Sequence, residues 1–286
     1  MEPTLSERTN NFNPYGVFMM KRFFYYSLRI AHYAFLIAVC ALLFGGCGDF
    51  KGQQKIIVGL DDDFPPMGFR NERGELVGFD VDLAKEVGRR MGVNMVFQPI
   101  NWDNKREEIL SGHIDIIWNG LDITEERKSY MIFSKSYMDD RQIVLAKRDC
   151  TLPVYSEHDL AGKIIGTQAG STSDCYLKRN FKDVLGEHKT YDRFKDAIVA
   201  LMNDEIELIV CDELIARYEM NTHPDQLKII DIKIGVITET GIGFRKEDTE
   251  LRDRIQATFD EMIKDGTAKK ISEQWFGADL IRSKRR

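Results

Sequence analysis

Short apolar runs alternate with amphipathic stretches in the part of the chain that follows residue 54. The runs at residues 55–60, 94–100 and 114–118 favour buried strands, because they combine apolar side chains with strand-like length. Residues 81–91 place apolar side chains at helical spacing, and Asp80 stands where a helix cap is expected. Strands that alternate with helices in this order predict a parallel sheet covered by helices.

A second series of strand-like and helical patterns surrounds a polar break at residues 148–149. The predicted strands of this series are residues 142–147, 164–167, 208–211 and 229–238, and its predicted helices are residues 194–202, 249–264 and 268–275. The layout of the first half therefore occurs twice. The chain is predicted to be an α/β protein whose strand-end loops face a common space.

Polar and aromatic residues follow the predicted strands. In sheets of this kind, the loops at the carboxyl ends of the strands build the binding site. Phe64 and Trp102 fall on such loops, and Asp212 ends the predicted strand at residues 208–211. Residues 168–173 form a turn of small residues that opens a helix, and the free N–H groups of such a turn suit a carboxylate.

Three of these residues also have a purely structural interpretation. Asp212 could cap the helix that follows it, Phe64 could be a core residue, and Trp102 could be ordinary surface packing. Their joint placement at strand ends favours a common site.

Arg127 lies in the first turn of a helix whose start is predicted at Thr124. A tight turn at residues 119–120 precedes it, so free backbone groups and a guanidinium are expected side by side. A guanidinium can hold a carboxylate through two parallel hydrogen bonds. The alternative is a surface ion pair between Arg127 and Glu125 or Glu126.

The composition of the 286-residue chain is that of an ordinary globular protein, with 43% hydrophobic and 30% charged residues. This length suits one large domain or two medium ones. A net charge of -6 argues against nucleic acid as a partner. The chain has no phosphate-binding loop of the form G-x-x-x-x-G-K-S/T, so it is not interpreted as an ATPase.

Residues 1–47 have the pattern of a targeting segment. Lys21 and Arg22 supply positive charge, and residues 30–44 are mostly apolar but short for a membrane-spanning helix. An uncleaved membrane anchor is the alternative, and either interpretation places the body of the protein outside the cytoplasmic membrane. The polar residues 48–54 are interpreted as a tether.

Two glycines precede Cys47 and resemble the processing site of a bacterial lipoprotein. Cleavage there would make Cys47 the lipidated first residue. Phe44 departs from the lipoprotein pattern, which has an aliphatic residue three positions before the cysteine. The start of translation is open between Met1, Met19 and Met20.

Three of the five cysteines, Cys150, Cys175 and Cys211, lie beyond the targeting segment. An odd number without paired short spacings is neither a metal-binding pattern nor a disulfide framework. One disulfide bridge and three thiols are both open, and buried thiols are the preferred interpretation. No metal site and no cofactor is predicted.

Residues 115–127, with residues 133–134 and Tyr137 after them, resemble the core motif of the polar amino-acid solute-binding proteins that feed ABC importers. The resemblance covers residues 56–276. It implies the two-lobed, type II periplasmic-binding-protein-like fold, in which two crossover strands join two α/β lobes around a ligand cleft.

The resemblance also implies where the lobes begin and end. Lobe 1 would comprise residues 55–145 and 241–280, and lobe 2 would comprise residues 146–240. The crossovers would fall near residues 145–147 and 240–243.

The same resemblance assigns roles to single residues. Arg127 matches the arginine that binds the α-carboxylate of the ligand, and backbone groups of two turns would share that carboxylate. Asp212 matches the carboxylate that binds the α-ammonium, while Phe64 and Trp102 match the pair that sandwiches the ligand's side chain. Because Arg127 and Asp212 would come from different lobes, both ligand charges would be satisfied only when the cleft closes. The implied ligand-binding residues are Asp61, Phe64, Trp102, Asn119, Gly120, Asp122, Arg127, Gln168, Gly170, Ser171, Thr172 and Asp212.

Asp122 stands where many members of this family have Ser or Thr beside the ammonium. Some arginine-binding members resemble this chain in having Asp there, and an extra carboxylate favours a cationic ligand. Cation–π attraction to Phe64 and Trp102 would add to that preference. Arginine or lysine is therefore the expected ligand. The alternative is that Asp122 only caps the Thr124 helix, which leaves a neutral ligand such as glutamine or cystine.

Two other functions are kept as alternatives. One is an enzyme on the same fold, of the cyclohexadienyl or arogenate dehydratase kind, which needs a free acid or base in the cleft. Glu213, beside Asp212, is the spare carboxylate, and the five histidines form no catalytic spacing, so no catalytic residue is predicted. The other alternative is a freestanding sensor of amino acids.

The expected protein is a monomer in the periplasm or at the cell surface. Its expected partners are an amino-acid ligand, the membrane permease of an ABC importer and the membrane, which it would reach through the lipid on Cys47.

Overall fold

The computed structural model describes residues 54–282 of the chain. The predicted targeting segment, its lipidation site at Cys47 and all but the last residue of the predicted tether lie outside the described residues, so they stay predictions. Within the described part, no helix is both long enough and apolar enough to cross a membrane.

Thirteen strands form three sheets in the described part of the chain, and helices cover two of these sheets. The strands are β1 (Lys55–Leu60), β2 (Asp63–Phe64), β3 (Gly68–Arg70), β4 (Leu76–Val77), β5 (Asn94–Pro99), β6 (Ile116–Ile117), β7 (Met131–Phe133), β8 (Met138–Lys147), β9 (Ile164–Gln168), β10 (Glu187–Tyr191), β11 (Leu208–Asp212), β12 (Leu227–Thr240) and β13 (Gly243–Arg245). The helices are α1 (Phe79–Met91), α2 (Lys105–Ser111), α3 (Glu125–Lys128), α4 (Thr172–Asn180), α5 (Phe194–Met202), α6 (Glu213–Thr222), α7 (Thr249–Lys264) and α8 (Thr267–Phe276), with short 3₁₀ turns at Trp102–Asn104 and Glu157–Leu160.

The first sheet has the strand order β5-β1-β6-β13-β7. Strand β1 is parallel to both β5 and β6, whereas β13 runs antiparallel to β6 and β7. Parallel neighbours need long crossover connections, which α1 and α2 provide. The carboxyl ends of β1, β5 and β6 therefore share one edge, and the loops that carry Phe64, Trp102 and residues 119–127 leave from it.

The second sheet has the strand order β10-β9-β11-β8-β12. Strand β9 is parallel to β10 and β11, and β8 is antiparallel to β11 and β12. The parallel strands β9 and β11 end at Gln168 and Asp212, so these two residues lie at one edge of the second sheet.

The chain passes twice between the two sheets, because β7 and β13 belong to the first sheet and β8 and β12 to the second. The first passage is at residues 134–137 and the second is at residues 241–242. The expected first passage near residues 145–147 was therefore wrong. Strand β8 already pairs with β12 from Met138 onward, and this pairing orders a charged segment that has no strand pattern of its own. The predicted lobe boundaries stay a prediction.

Strand β10 and the small sheet β2-β3-β4 were not predicted from the sequence. Strand β10 is a polar edge strand, with the sequence EHKTY, that forms through its parallel pairing with β9. Strands of two or three residues are too short to show an alternating pattern. In both cases the pairing partner, and not the local pattern, creates the strand.

The end of the chain completes the core of the first sheet. Phe244 of β13 and Phe259 of α7 are buried with Trp118, and the ring centroids of Trp118 and Phe259 are 6.0 Å apart. Helices α7 and α8 also pack against α1. The last two helices therefore return to the sheet in which the chain began, as the resemblance implied.

Helix α1 brings a buried carboxylate beneath the turn at Gly120. Asp80 was expected to cap this helix, but Gly78 occupies the cap position and Asp80 lies inside the first turn. Both oxygens of the Asp80 carboxylate accept hydrogen bonds, from the Gly120 N–H at 2.6 Å and from the Tyr137 hydroxyl at 2.8 Å. Burial raises the pKa of Asp80 to about 7.

The two glycines that flank α1 provide a matched test of the fold. Gly78 has a φ of 146°, and a Cβ there would lie 2.2 Å from the Met67 carbonyl oxygen. Gly92 has a φ of 67° and open space around it. We expect Gly78→Ala to lower the free energy of unfolding by at least about 3 kcal/mol and Gly92→Ala by about 1 kcal/mol, measured by urea denaturation. Equal losses would show that the contact with Met67 does not constrain the start of the helix.

Candidate functional site

A small cavity of about 10 Å³, the space open to the centre of a water molecule, lies where the strand ends of the first sheet face those of the second. Nine of the twelve predicted ligand-binding residues line it: Asp61, Phe64, Trp102, Gly120, Arg127, Gln168, Ser171, Thr172 and Asp212. The other three, Asn119, Asp122 and Gly170, lie behind the wall and contact the residues that form it. The loops that the sequence pattern placed at strand ends therefore meet in one place.

Arg127 is buried, with 4% of its surface exposed. Thr124 caps α3 as predicted, since its hydroxyl accepts the Arg127 N–H at 3.2 Å. The guanidinium donates to the Asp122 carbonyl at 2.9 Å and to the Gly170 carbonyl at 3.4 Å. The alternative of a surface ion pair is therefore wrong for Arg127, and Glu125 pairs with Lys128 instead.

Lys105 is a second buried cation beside the cavity, and the sequence interpretation missed it. Its ammonium donates to the Trp102 carbonyl at 2.9 Å and to the Gly170 carbonyl at 2.8 Å. Burial and then the nearby Arg127 lower the pKa of Lys105 to about 7. A lysine at the start of a short polar helix looks exposed in sequence. The one available signal was its position three residues after Trp102.

Asp61 is a buried carboxylate on the cavity wall, with 4% of its surface exposed. The Gln168 side-chain amide and the Asp63 N–H donate to the Asp61 carboxylate. The backbone N–H of Asp61 donates to the side-chain oxygen of Asn119 at 3.0 Å. Burial raises the pKa of Asp61 to about 6. Among residues 54–282, no Lys or Arg side chain lies within 4.0 Å of this carboxylate.

Asp212 ends β11 and faces the cavity. It occupies the cap position of α6, but its side chain does not cap the helix. Its carboxylate accepts a hydrogen bond from the side-chain amide of Gln142, and the Ser173 hydroxyl donates to the oxygen of the same Gln142 side chain. Burial and then repulsion by Asp122 raise the pKa of Asp212 to about 7. The capping alternative for Asp212 is therefore wrong.

Asp122 connects the half of the structure built on the first sheet to the half built on the second sheet. One oxygen of its carboxylate accepts the Thr172 hydroxyl at 2.6 Å, and the other accepts the Thr238 hydroxyl at 2.9 Å. It does not cap the helix at Thr124, because the Thr124 side chain does so itself. Burial raises the pKa of Asp122.

The two aromatic residues have different environments. Phe64 is partly exposed and contacts the cores of both sheets, and its ring lies against Gly120. Trp102 is 7% exposed and belongs to the core behind β6, so surface packing is wrong for it. The Lys105 ammonium lies 5.2 Å from the centroid of the Trp102 ring.

The polar groups of the two turns are largely occupied within the chain. The Gly120 N–H donates to Asp80. The Ser171 hydroxyl caps α4 by accepting the Asp174 N–H at 3.0 Å, and the Gly170 N–H donates to Asp174 at 2.9 Å. The side-chain cap leaves the first N–H groups of α4 near the cavity, where an anion would be favoured.

Glu213, the spare carboxylate of the enzyme alternative, is fully engaged. It accepts hydrogen bonds from Arg141 and Arg217, and these lower its pKa. It is therefore a charged, paired group and not a free acid. The three cysteines of the described part, Cys150, Cys175 and Cys211, are all free thiols.

Two α/β sheets that enclose a small cavity, with a guanidinium and carboxylates on its wall, define a two-lobed binding protein. Residues 56–278 match the bacterial extracellular solute-binding proteins, family 3, and the chain belongs to this family.

Similar proteins take different solutes. The chain is 30% identical over 232 residues to the L-cystine-binding protein TcyJ of Escherichia coli (strain K12), covering 81% of this chain and 86% of that protein. It is 34% identical to an ABC uptake transporter substrate-binding protein from Streptococcus pneumoniae solved with bound histidine, with a TM-score of 0.75 over 79% of this chain and 94% of that one. An ancestral arginine-binding protein bound to arginine is 37% identical, with a TM-score of 0.75 over 79% of this chain and 99% of that one.

These comparisons confirm the predicted family and the predicted fold, since the structural neighbours are two-lobed binding proteins. The relatives are substrate-binding proteins, and the chain is accordingly a solute-binding protein and not an enzyme.

Lys105 connects the two halves of the site and can be tested directly. We expect Lys105→Met to weaken solute binding roughly tenfold, because the enclosed form loses a hydrogen bond from a charged donor to the Gly170 carbonyl. Small-angle scattering of the solute-loaded protein should show a larger radius of gyration. Lys128→Met, which removes a half-exposed lysine of α3, is the matched control and should bind as the unchanged protein does. Unchanged affinity in Lys105→Met would mean that this contact does not stabilise the enclosed form.

Proposed function

We propose that the protein binds an amino acid with a positively charged side chain, arginine or lysine, and delivers it to an ABC importer. One observation carries this proposal: Asp61 is a buried carboxylate on the cavity wall, and no Lys or Arg of the described residues forms an ion pair with it, since the nearby Arg193 pairs with Asp62.

The charges around the cavity support a cationic ligand. Arg127 is the cation that lines the cavity, and Asp61 and Asp212 are the anions. The α-carboxylate and α-ammonium of an amino acid would pair with Arg127 and Asp212. Asp61 would then be left as a buried charge held by hydrogen bonds from two neutral donors but by no ion pair, which is costly. A guanidinium or ammonium on the ligand's side chain would remove that cost.

The preference for a cation thus rests on a different residue from the one that the sequence suggested. Both oxygens of Asp122 already accept hydrogen bonds from threonines, and Asp122 lies behind the cavity wall. Asp61 lies on the wall itself, together with Phe64 and Trp102. These aromatic rings would cover the ligand's side chain and add cation–π attraction.

Enclosure of the ligand would draw the two halves together. The first half contributes Arg127, and the second contributes Asp212 and the N-terminus of α4. Polar contacts between the halves include Gln168 with Asp61 and Arg193 with Asp62 at 2.8 Å. A ligand that contacts both halves would stabilise the closed arrangement, and the permease could recognise that shape.

The proposal includes attachment to the membrane. The chain would be exported, processed before Cys47 and held by a lipid on that cysteine, as a monomer. Support for this part comes from the sequence pattern and from the extracellular nature of the family.

Calorimetric titration tests the ligand and the role of Arg127 together. The purified protein is first unfolded and refolded to remove carried-over ligand, then titrated with arginine, lysine, histidine, glutamine and cystine. We expect arginine or lysine to bind most tightly. Arg127→Ala should weaken binding at least about a hundredfold, because the buried α-carboxylate of the ligand loses its charged partner. Arg106→Ala is the control, since this guanidinium lies over the Tyr130 ring at 4.9 Å, away from the cavity wall. Binding of neutral amino acids alone would rule out the cationic ligand, and no binding at all would rule out the proposed function.

The role proposed for Asp61 also predicts how the affinity for arginine depends on pH. Its pKa of about 6 without ligand means that it is charged above this pH and protonated below it, so the affinity for arginine should fall as the pH falls through 6. Asp61→Asn should remove this step and reduce the preference for arginine over glutamine roughly tenfold, measured by titrations between pH 5 and pH 8. Glu72→Gln, in the exposed turn between β3 and β4, should keep both the step and the preference. A pH step that persists in Asp61→Asn would assign it to another group, such as Asp212.

A further inference from the structure

A third carboxylate lies beside Asp122 and Asp212, behind the cavity wall that Asp212 helps to form. Asp140 of β8 is 8% exposed, and one oxygen from each of the three side chains lies within 4.8 Å of the other two. These three residues are called the aspartate cluster below. Neither the family resemblance nor the ligand-binding prediction included Asp140.

The register of the second sheet explains how the aspartate cluster forms. Gln142 of β8 lies opposite Asp212 of β11, and Asp140 of β8 lies opposite Thr238 of β12. Opposite residues project from the same face of a sheet, as do residues two apart on one strand. All four side chains therefore share one face, and the Thr238 hydroxyl connects them to Asp122.

The hydrogen bonds of the aspartate cluster are incomplete. The Gln142 side-chain amide donates to both Asp140, at 3.1 Å, and Asp212. The second oxygen of Asp140 is buried and accepts no hydrogen bond from any donor among residues 54–282, and Asp212 is the carboxyl with which it would share a proton. A buried carboxylate oxygen in this position needs either a donor or a proton.

The charges that face Asp140 are mostly of its own sign. Asp212 and Asp122 are the neighbouring anions, the Cys211 thiol is buried close by, and Arg127 is the cation that acts on Asp122 and Asp212. Burial and then repulsion by Asp212 and Asp122 raise the pKa of Asp140 well above its usual range. The aspartate cluster therefore carries more negative charge than Arg127 offsets.

We propose that the aspartate cluster is one binding site for the α-ammonium of the ligand, with Asp140 as a third acceptor beside Asp212 and Asp122. This inference rests on the proposed function. An ammonium has three N–H donors, and acceptors at about 2.8 Å along them would lie about 4.6 Å from one another. The three carboxylate oxygens lie within 4.8 Å of one another, so a single ammonium can reach all of them. The unpartnered oxygen of Asp140 would gain a charged donor when the ligand enters.

A proton must leave when the ammonium enters. Before binding, repulsion favours a protonated carboxyl in the aspartate cluster. The ammonium favours the charged form of all three, so the carboxyl O–H bond breaks and the proton passes to solvent. Ligand binding near pH 7 should therefore release protons.

Asp140→Asn tests the proposal, with the adjacent Asp139→Asn as the matched control. Asp139 is about half exposed and pairs with Arg282 at 3.1 Å. We expect Asp140→Asn to weaken binding of the tightest amino acid roughly ten- to a hundredfold, because the ammonium loses one charged acceptor. The same variant should melt at a higher temperature without ligand, because a buried repulsion is removed. Asp139→Asn should keep the affinity. A residue with a merely structural role would not move affinity and ligand-free stability in opposite directions.

Calorimetry in two buffers of different ionisation enthalpy counts the protons. The unchanged protein should release protons on binding, and Asp140→Asn should release fewer. Equal affinity in the variant, or no proton release from the unchanged protein, would overturn the proposal, and the second measurement does not depend on any variant folding.

Titration of the ligand-free protein with calcium chloride tests whether a metal ion, and not the ammonium of the ligand, supplies the positive charge. Calcium binding that is lost in Asp140→Asn and competes with the amino acid would assign the aspartate cluster to a metal ion and overturn the proposal. If the unchanged protein binds no amino acid, the proposed function itself fails.

Discussion

A charge that is removed from water needs a partner of opposite sign or several hydrogen bonds, and this constraint governs the structure around the cavity. Arg127 and Lys105 are both buried, and both donate to the Gly170 carbonyl. That carbonyl belongs to the turn between β9 and α4, on the other side of the cavity. The cations of the first half are therefore satisfied in part by the second half, and neither half presents a complete site without the other.

The long strands β8 and β12 hold this arrangement in register. They pair from Met138 opposite Thr240 to Lys147 opposite Leu227, with two irregularities between. An isolated bridge also links Asp122 to Thr240. The two strands thus fix the loop of the first sheet that carries Asp122 against the second sheet. A shift of one residue would turn Asp140 and Gln142 to the opposite face and disperse the carboxylates around the cavity.

Sequence patterns predicted the features that local chemistry determines. The α/β order, the strand-end loops, the start of α3 at Thr124 and the convergence of most site residues could all be read from apolar periods and turn residues. Features that depend on long-range pairing could not be read in this way. The polar segment at the start of β8 becomes a strand because β12 lies beside it, and Lys105 is buried because a turn 65 residues further along the chain covers it. Asp80 likewise looks like a helix cap until the fold places Gly120 and Tyr137 above it.

The position of β13 has a consequence for the time course of folding. This strand lies between β6 and β7 in the first sheet, although more than a hundred residues separate β7 from β13 along the chain. Until β13 arrives, β6 and β7 have no common neighbour, and the buried Phe244 is missing from the core. A chain that emerges from the ribosome amino terminus first therefore cannot complete its first sheet before almost all of it has been made. Closure of the first sheet is therefore a late step, because it depends on strand pairings between segments far apart in sequence.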